Sequence, residues 1–426
     1  MNILHISTSD FGGAGMAAIR LHHALLKNGI ESSFLSLTQN KNDIKNSFFY
    51  DAQINKINQA PAYPQLNLSN YFKERFFHTF DKQLLDFKKQ KAIEDEHYKQ
   101  ILEDRLSNKF ELFSSPCSKY DITETTAYKN SDIIHLHWVA DFLDYPSFFA
   151  KNTKPVVWTL HDENPFRGGF HYEADEIGNK NDYGELDIQY KKVKLDSIIH
   201  AQKLTVISPS NWLAHNAKSS KAFNKYNVTT IANTLDTRLF SPKNKSFCRE
   251  YLSLPVDKTI FLFASQSTSN KRKGFDLLES LLNKNEFNNA HFIILGDNKH
   301  NKQDQRFHFL GHIGDELLLP LIYSAADAFI LPSREDNLPN TMLESLCCGT
   351  PVISFSVGGM KEELETGVNG ILCGDISEEN LKQGILDFIN GRYHFNNQKI
   401  SEQAHLKYAE EHIAKMYMDV YQELFS

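Results

Sequence analysis

NILHISTSDFGGAGMAAIRLHHALLKNGIESSFLSL, residues 2–37, reads as strand, glycine turn, helix and second strand. NILHIST is a short apolar run and SDFGGAG a turn. MAAIRLHHALLKNG has apolar residues at helical spacing up to Gly29, and ESSFLSL resumes the strand pattern. Short apolar runs recur at DIIHLHWV, PVVWTLH and KLTVIS, separated by helical or irregular stretches. Such alternation implies a parallel sheet covered by helices. The rhythm restarts after a polar stretch from Asn233 to Asp257. KTIFLFAS, HFIILGD, RFHFLG, DAFILPS and TPVISF read as strands, with GFDLLESLLNK, DELLLPLIYSA and TMLESLCCG as helices between them. The expectation is an α/β protein of two domains of similar design, residues 1–235 and 236–400, joined near 235–245. A C-terminal helical segment, 401–426, packs back on the first. No sequence repeat links the two halves. Between residues 41 and 129 the alternation is lost, and Phe72, Phe76, Phe77 and Phe80 recur at helical spacing. This predicts a helical insertion that buries an aromatic stripe, or presents it with Lys73, Arg75, Lys88, Lys89 and Lys91 at an interface.

Composition narrows the class. With 41% apolar and 23% charged residues, the 426-residue chain is ordinary for a globular protein and long enough for two or three domains. Its net charge of −7 argues against general nucleic-acid binding, which needs a basic footprint. The five cysteines, Cys117, Cys248, Cys347, Cys348 and Cys373, contain no Cys-x-x-Cys pair, so neither a disulfide framework nor a zinc site is expected. The N-terminus lacks a basic region before its apolar run and reads as a strand rather than a signal peptide. No apolar run reaches the roughly 18–20 residues that span a bilayer. The expectation is a cytoplasmic protein, at most peripheral on a membrane.

Open parallel sheets bind ligands outside the carboxyl ends of their strands, so the loops there carry the chemistry. The richest is PSREDNLPNTMLESLCCGTPVISFSVGG, residues 332–359. A strand ends at Leu331, a polar loop comes next, and a helix starts near Asn340, read as its N-cap, and ends with Gly349 at the C′ position. Free N–H groups at a helix start hold phosphates or hydroxyls. Asp336 and Glu344 lie eight positions apart, one in the loop and one in the helix, which suits separate hydrogen-bonding roles better than a glycosidase pair. The bland reading makes both solvated, helix-capping acids. In ASQSTSNKRKG, residues 264–274, Lys271, Arg272 and Lys273 could offset charge on a departing phosphate, or simply solvate a helix start. PVVWTLHDENPFRGG places His161 directly after a buried strand, where it can donate a hydrogen bond or carry a proton, with Asp162 beside it as an orienting neighbour. A structural histidine is the bland alternative. Gly12 and Gly13 permit close backbone approach without completing a dinucleotide fingerprint. Gly296 and Gly311 end two strands of the second half.

These residues together carry a resemblance. Pro-Ser, an acid, seven residues, Glu and then Cys-Gly-Thr-Pro-Val resemble the nucleotide-sugar motif of family 4 retaining glycosyltransferases, which have the GT-B fold: two Rossmann-like domains facing across a cleft. GGAGMAAIRLHHAL, TLHDENPFRGGFHY, SPSNWLA and IANTLDTRLFSP are similar to the colanic-acid-type branch of exopolysaccharide and lipopolysaccharide transferases. The resemblance implies that Asp336, Asn337 and Leu338 face the donor sugar and Glu344 the ribose. It also implies that Arg272 and Lys273 meet the phosphates, that the backbone at Gly296, His312 and Ile313 approaches phosphate and base, and that His161 lies beside the transferred sugar. Gly12, Gly13 and Asp162 would line the acceptor side, with Gly13 also near the phosphate. Asp336 stands where the family commonly has Glu, with Glu335 before it. Thr268 stands near the place of an Arg that this chain lacks, and Arg272 could substitute. Phe170 and charged residues replace a cysteine cluster common in that branch.

The resemblance thus implies an enzyme of hexosyltransferase type, moving a sugar with retained configuration from a nucleoside diphosphate sugar to a hydroxyl of a bacterial capsule, exopolysaccharide or lipopolysaccharide glycan. The expected acceptor is a glycan or lipid-linked glycan, no metal or other cofactor is required, and the 41–129 insertion could face acceptor or membrane. A GT-B-type nucleotide-sugar epimerase and a non-catalytic nucleotide-sugar-binding protein are the rival readings.

Overall fold

A computed structural model describes residues 1–50, 97–282, 285–297 and 306–425. The chain divides into two units: Met1–Ser208 with Leu213–Thr229 and Asp419–Ser426, and Pro209–Trp212 with Thr230–Met418. The helix Glu410–Phe425 thus gives its last residues to the first unit.

The first unit holds β1 (Asn2–Ser9), β2 (Glu31–Thr38), β3 (Ser47–Phe49), β4 (Ile133–Leu136), β5 (Val156–Thr159), β6 (Leu204–Ser208) and β7 (Asn227–Thr230), in the order β3-β2-β1-β4-β5-β6-β7. β1 pairs in parallel with both β2 and β4, placing His5 beside Phe34 on one side and His135 on the other. Every residue of β4, β5 and β6 is buried, as expected for strands covered on both faces. The helix begins at Gly12, so GGAG is its first turn rather than part of the preceding turn. Gly12 has φ +76°, which permits the abrupt entry, and Gly29 (φ +77°) comes just past its end. Within 41–129 the described part contains the strand β3 and a helix at 97–106. The phenylalanine stripe and its lysines fall in 51–96, outside the described residues.

The second unit holds β8 (Thr259–Ser267), β9 (Ala290–Asp297), β10 (Phe307–Gly311), β11 (Ala328–Leu331), β12 (Val352–Phe355) and β13 (Gly370–Cys373), ordered β10-β9-β8-β11-β12-β13. The strand period of two sorts β8 between two cores. Ile260, Leu262 and Ala264 pack with Ile322, Met342, Leu343 and Leu346, while Phe261 and Phe263 face Phe275, Leu278, Leu381 and Ile385. DELLLPLIYSA is not one helix: a 3-10 turn, Glu316–Leu318, precedes the helix Leu319–Ala325, whose second residue is Pro320. Both sheets reverse their strand order beside the first strand of the unit, at β1/β4 and β8/β11. These are the topological switch points at which open sheets bind ligands. All five cysteines are buried free thiols.

Candidate active site

In the second unit, two loops leave the carboxyl ends of β8 and β11, the pair flanking the switch point. After β8, the Asn270 side chain caps a 3-10 turn, Lys271–Lys273, by accepting from Arg272 N at 3.0 Å. Gly274 (φ +73°) closes the turn, and a Cβ there would lie 2.0 Å from the Pro332 carbonyl oxygen, so only glycine lets the loops meet. Arg334 N then donates to Arg272 O at 2.7 Å, and the Arg334 guanidinium forks onto Asp276 with two 2.7 Å bonds.

This contact brings the predicted cations onto the predicted acid. Lys273 Nζ donates to Asp336 Oδ2 at 2.5 Å, Ser333 Oγ donates at 3.3 Å, and Arg272 Nη1 lies 3.5 Å away while donating to the Glu335 carbonyl at 2.9 Å. Burial alone would raise the Asp336 carboxyl, but the Lys273 and Arg272 charges outweigh it and hold its pKa below the ordinary value. Two cations around one carboxylate leave net positive charge, which suits an anionic ligand. Thr268, near the place of the missing Arg, donates to the Asp297 carbonyl at 2.9 Å. Gly358 (φ +52°) presses so closely on the Asp336 loop that a Cβ would sit 1.7 Å from Asp336 O.

Asn340 is not the cap of the next helix. Pro339, with φ −63° and ψ 126°, occupies that place, and Asn340 is the first helical residue, its Oδ1 accepting from Asn233 Nδ2 at 3.0 Å. Proline has the extended geometry of a cap without a side-chain acceptor. Gly349 (φ +76°) comes after the Cys348 cap as expected. Glu344 is buried and accepts from the Tyr323 hydroxyl at 2.8 Å. The Asn337 side chain accepts from Ser210 Oγ at 2.6 Å, and Leu338 packs into the core. Gly296 (φ +123°) is required by packing, since a Cβ would lie 2.0 Å from Ser265 O, and Gly311 (φ +66°) has open space. His312 is exposed and Ile313 half-buried.

In the first unit, β5 delivers His161. Asp162 does not orient it. Its Oδ2 accepts instead from His171 Nδ1 at 2.6 Å and Trp138 Nε1 at 2.9 Å, and its Oδ1 from Asn164 N at 3.0 Å. Burial would raise this carboxyl, but His171 and these N–H donors hold it low. A carboxylate that buried is drawn to the donors that surround it. Beneath the loop, buried Lys194 donates to Asn164 O, Asn164 Oδ1 and Gly168 O at 2.6, 2.9 and 2.5 Å. Gly13 has nothing within 4 Å of an added Cβ, and neither does Gly12.

The partner of His161 is another histidine. His161 Nε2 lies 3.2 Å from His137 Nδ1, and His137 Nε2 lies 2.9 Å from His5 Nδ1. Burial lowers the pKa of His161 to about 4, with Asp162 opposing the shift. His5, His135 and His137 are pushed well below the usual value, by burial first and neighbouring imidazoles second. His5, His135 and His137 are the group, among the described residues, whose nitrogens come within 4.8 Å of one another, the spacing of a metal site. Their orientation fits a metal poorly. Both His135 nitrogens are engaged, with Tyr421 Oη at 2.6 Å and Thr159 Oγ1 at 2.8 Å, and its ring stacks on His137 at 4.2 Å. Stacked rings have parallel lone pairs, whereas a metal needs convergent ones.

Comparison with known proteins places the second half. Residues 258–390 match the family of glycosyl transferases group 1. Both switch-point loops lie inside that match. The glycogen synthase of Exiguobacterium sibiricum is 25% identical over 298 residues, 57% of this chain and 60% of that protein. Across four glycogen synthases the match spans 42% to 68% of their lengths. Sucrose-phosphate synthase from Thermosynechococcus elongatus superposes with a TM-score of 0.66 at 17% identity, covering 100% of this chain and 99% of that one. HepE of Anabaena, solved in complex with UDP, gives 0.60 at 16% identity over 99% and 100%. The fold is therefore GT-B, with two Rossmann-like domains of parallel strands.

Proposed function

We propose that the chain is a retaining glycosyltransferase that moves a sugar from a nucleoside diphosphate sugar to an acceptor hydroxyl. The observation that carries this reading is the convergence of Lys273 and Arg272 on Asp336, at the switch point of the unit that matches glycosyl transferases group 1. Cations fixed there would neutralise the charge that grows on a departing diphosphate, without reorganising at the moment of reaction. Asp336 would accept from hydroxyls of the donor sugar, Glu344 from the ribose, and the backbone around Gly296, His312 and Ile313 would approach phosphate and base. His161, uncharged at neutral pH, would donate a hydrogen bond to the transferred sugar, and Gly12 and Gly13 would admit acceptor and phosphate close to the backbone. The UDP held by a protein of the same fold, and the glycogen synthase relatives, support a nucleotide-sugar donor.

For the acceptor we propose a growing bacterial surface glycan, on the resemblance of the sequence to that branch. We place the protein in the cytoplasm, peripheral to the membrane where such glycans grow. No helix of the described residues is long and apolar enough to cross a membrane. The test is incubation with a panel of nucleotide sugars and either extracted glycolipids or α-glucan, tracking nucleoside diphosphate release and product mass. Acceptor-dependent release with glycolipid supports the reading, and elongation of α-glucan alone replaces the acceptor. No release with any donor defeats it, and acceptor-dependent turnover unchanged in both His161→Ala and Glu344→Ala defeats the assignment of the site.

A further inference from the structure

His5, His137 and His161 form one hydrogen-bonded chain running from the interior strand β1 to the loop after β5. A neutral imidazole has one N–H, so a single direction of donation fixes the tautomer of all three rings. The inner end decides the direction. His5 is fully buried, and its Nε2 has no hydrogen-bond partner. Were donation to run inward from His161, that nitrogen would carry a proton with no acceptor. With donation running outward it is a bare lone pair. Orphaned buried N–H groups are the rarer of the two in folded proteins.

We propose that His5 and His137 are positioning residues that fix the tautomer of His161. His5 Nδ1–H donates to His137 Nε2, His137 Nδ1–H donates to His161 Nε2, and the proton of His161 is left on Nδ1. This rests on the reading of His161 as a sugar-contacting residue. The atom that meets Nδ1 must then be an oxygen able to accept, such as a sugar hydroxyl. The surroundings keep the rings from turning over. His135, clamped by Tyr421 and Thr159, stacks on His137, and His137 stacks in turn on His161 with centroids 5.5 Å apart.

Two variants of His137 separate this role from packing. His137→Asn sets an amide N–H close to the position of Nδ1, so it keeps donation to His161 while losing the stacked ring. His137→Phe keeps a ring and loses the donor. Turnover of His137→Phe is expected to fall about tenfold below that of His137→Asn. The reverse order would show a packing role and overturn the proposal. A second readout does not depend on activity: NMR of the full chain labelled with ¹⁵N-histidine reports which ring nitrogen of His161 is protonated. Protonation at Nδ1 is expected, shifting toward Nε2 in His137→Phe. Protonation at Nε2 in the unmodified chain overturns the tautomer assignment even if His161→Ala abolishes turnover. Protonation at Nδ1 with turnover intact in His161→Ala upholds the tautomer and defeats the site reading instead.

Discussion

Lys194→Met tests how the loop carrying His161 and Asp162 is held. Lys194 is 1% exposed, and burial lowers its pKa from 10.5 to about 7 against the opposing pull of Asp162 and Asp187. A lysine whose folded pKa is depressed binds fewer protons in the folded than in the unfolded chain between the two values, so stability rises with pH across that window. At pH 7 this depression corresponds to a cost of about 4 kcal/mol for burying the amine. Between pH 7 and 9 about 2 kcal/mol of that cost disappears, because the folded amine loses its proton while the unfolded one keeps it. Methionine removes the cost but leaves Asn164 Oδ1 and Gly168 O without this donor, at about 1–3 kcal/mol each. Asn164 O also accepts from Arg167 N and is not orphaned. At pH 7 the two effects nearly cancel, so the variant should fold. Urea unfolding of both proteins at pH 7 and pH 9, read by tryptophan fluorescence, measures the difference, since Trp138 and Trp158 lie in the same unit. The unmodified chain should gain about 2 kcal/mol relative to Lys194→Met over that interval. Parallel behaviour of the two proteins would show that Lys194 does not titrate there and that burial has not depressed it.

The depressed pKa of Asp336 has the opposite sign: its contribution is present above the unfolded value near 3.8 and is lost as pH falls through the lower folded value. Acid unfolding should therefore weaken the chain more than Asp336→Asn, and equal losses between pH 5 and 2 would contradict the ion pair. Gly358→Ala should destabilise by about 2 kcal/mol or more, because its Cβ would meet Asp336 O, whereas Gly13→Ala should change stability by less than about 1 kcal/mol yet impair turnover. Thermal melts and turnover on both variants decide this, and a silent Gly358→Ala would remove the close approach of the loops. With its pKa near 4, His161 is neutral above about pH 5, so kcat/KM should show no limb between pH 6 and 7 arising from it. A limb there that vanishes in His161→Gln would contradict a neutral donor.

The strand rhythm is legible in the sequence wherever a strand is long or central. β1, β2, β8 and β9 are eight or nine residues each, and β8 and β9 bury long apolar runs. β3, β7 and β13 are hidden because they are short strands at the sheet edges, and NVTT has no fully buried residue to make a pattern, whereas the equally short β4, β5, β11 and β12 are wholly buried. The helix start at Gly12 is obscured because glycine discourages helix, while a positive φ at its entry demands it. The loops after β8 and β11 are visible because polar strings come directly after apolar strands. The histidine chain is not, since His5 and His137 sit inside apolar runs where a histidine reads as core. The available signal is the recurrence of histidine on strands that parallel order makes neighbours, β1 and β4, which His5 and His135 fulfil.

The two units handle charge differently. In the first, burial lowers the pKa of His5, His137 and His161, neighbouring imidazoles add to the shift at His5 and His137, and the cluster is neutral where an exposed histidine would titrate. In the second, Lys273 and Arg272 lie against Asp336 and hold its carboxyl below its ordinary pKa. A group that stays neutral can orient a sugar by hydrogen bonding without attracting a phosphate, and a fixed cation can do the reverse. On the proposed function, charge stabilisation would fall to the loops after β8 and β11, and recognition of hydroxyl groups to His161. Exchanging the two chemistries would fail on each side: a protonated imidazole buried at His161 would set its own Nε2–H against the donor proposed on His137 Nδ1, and a neutral residue at 273 would leave Asp336 with Arg272 alone.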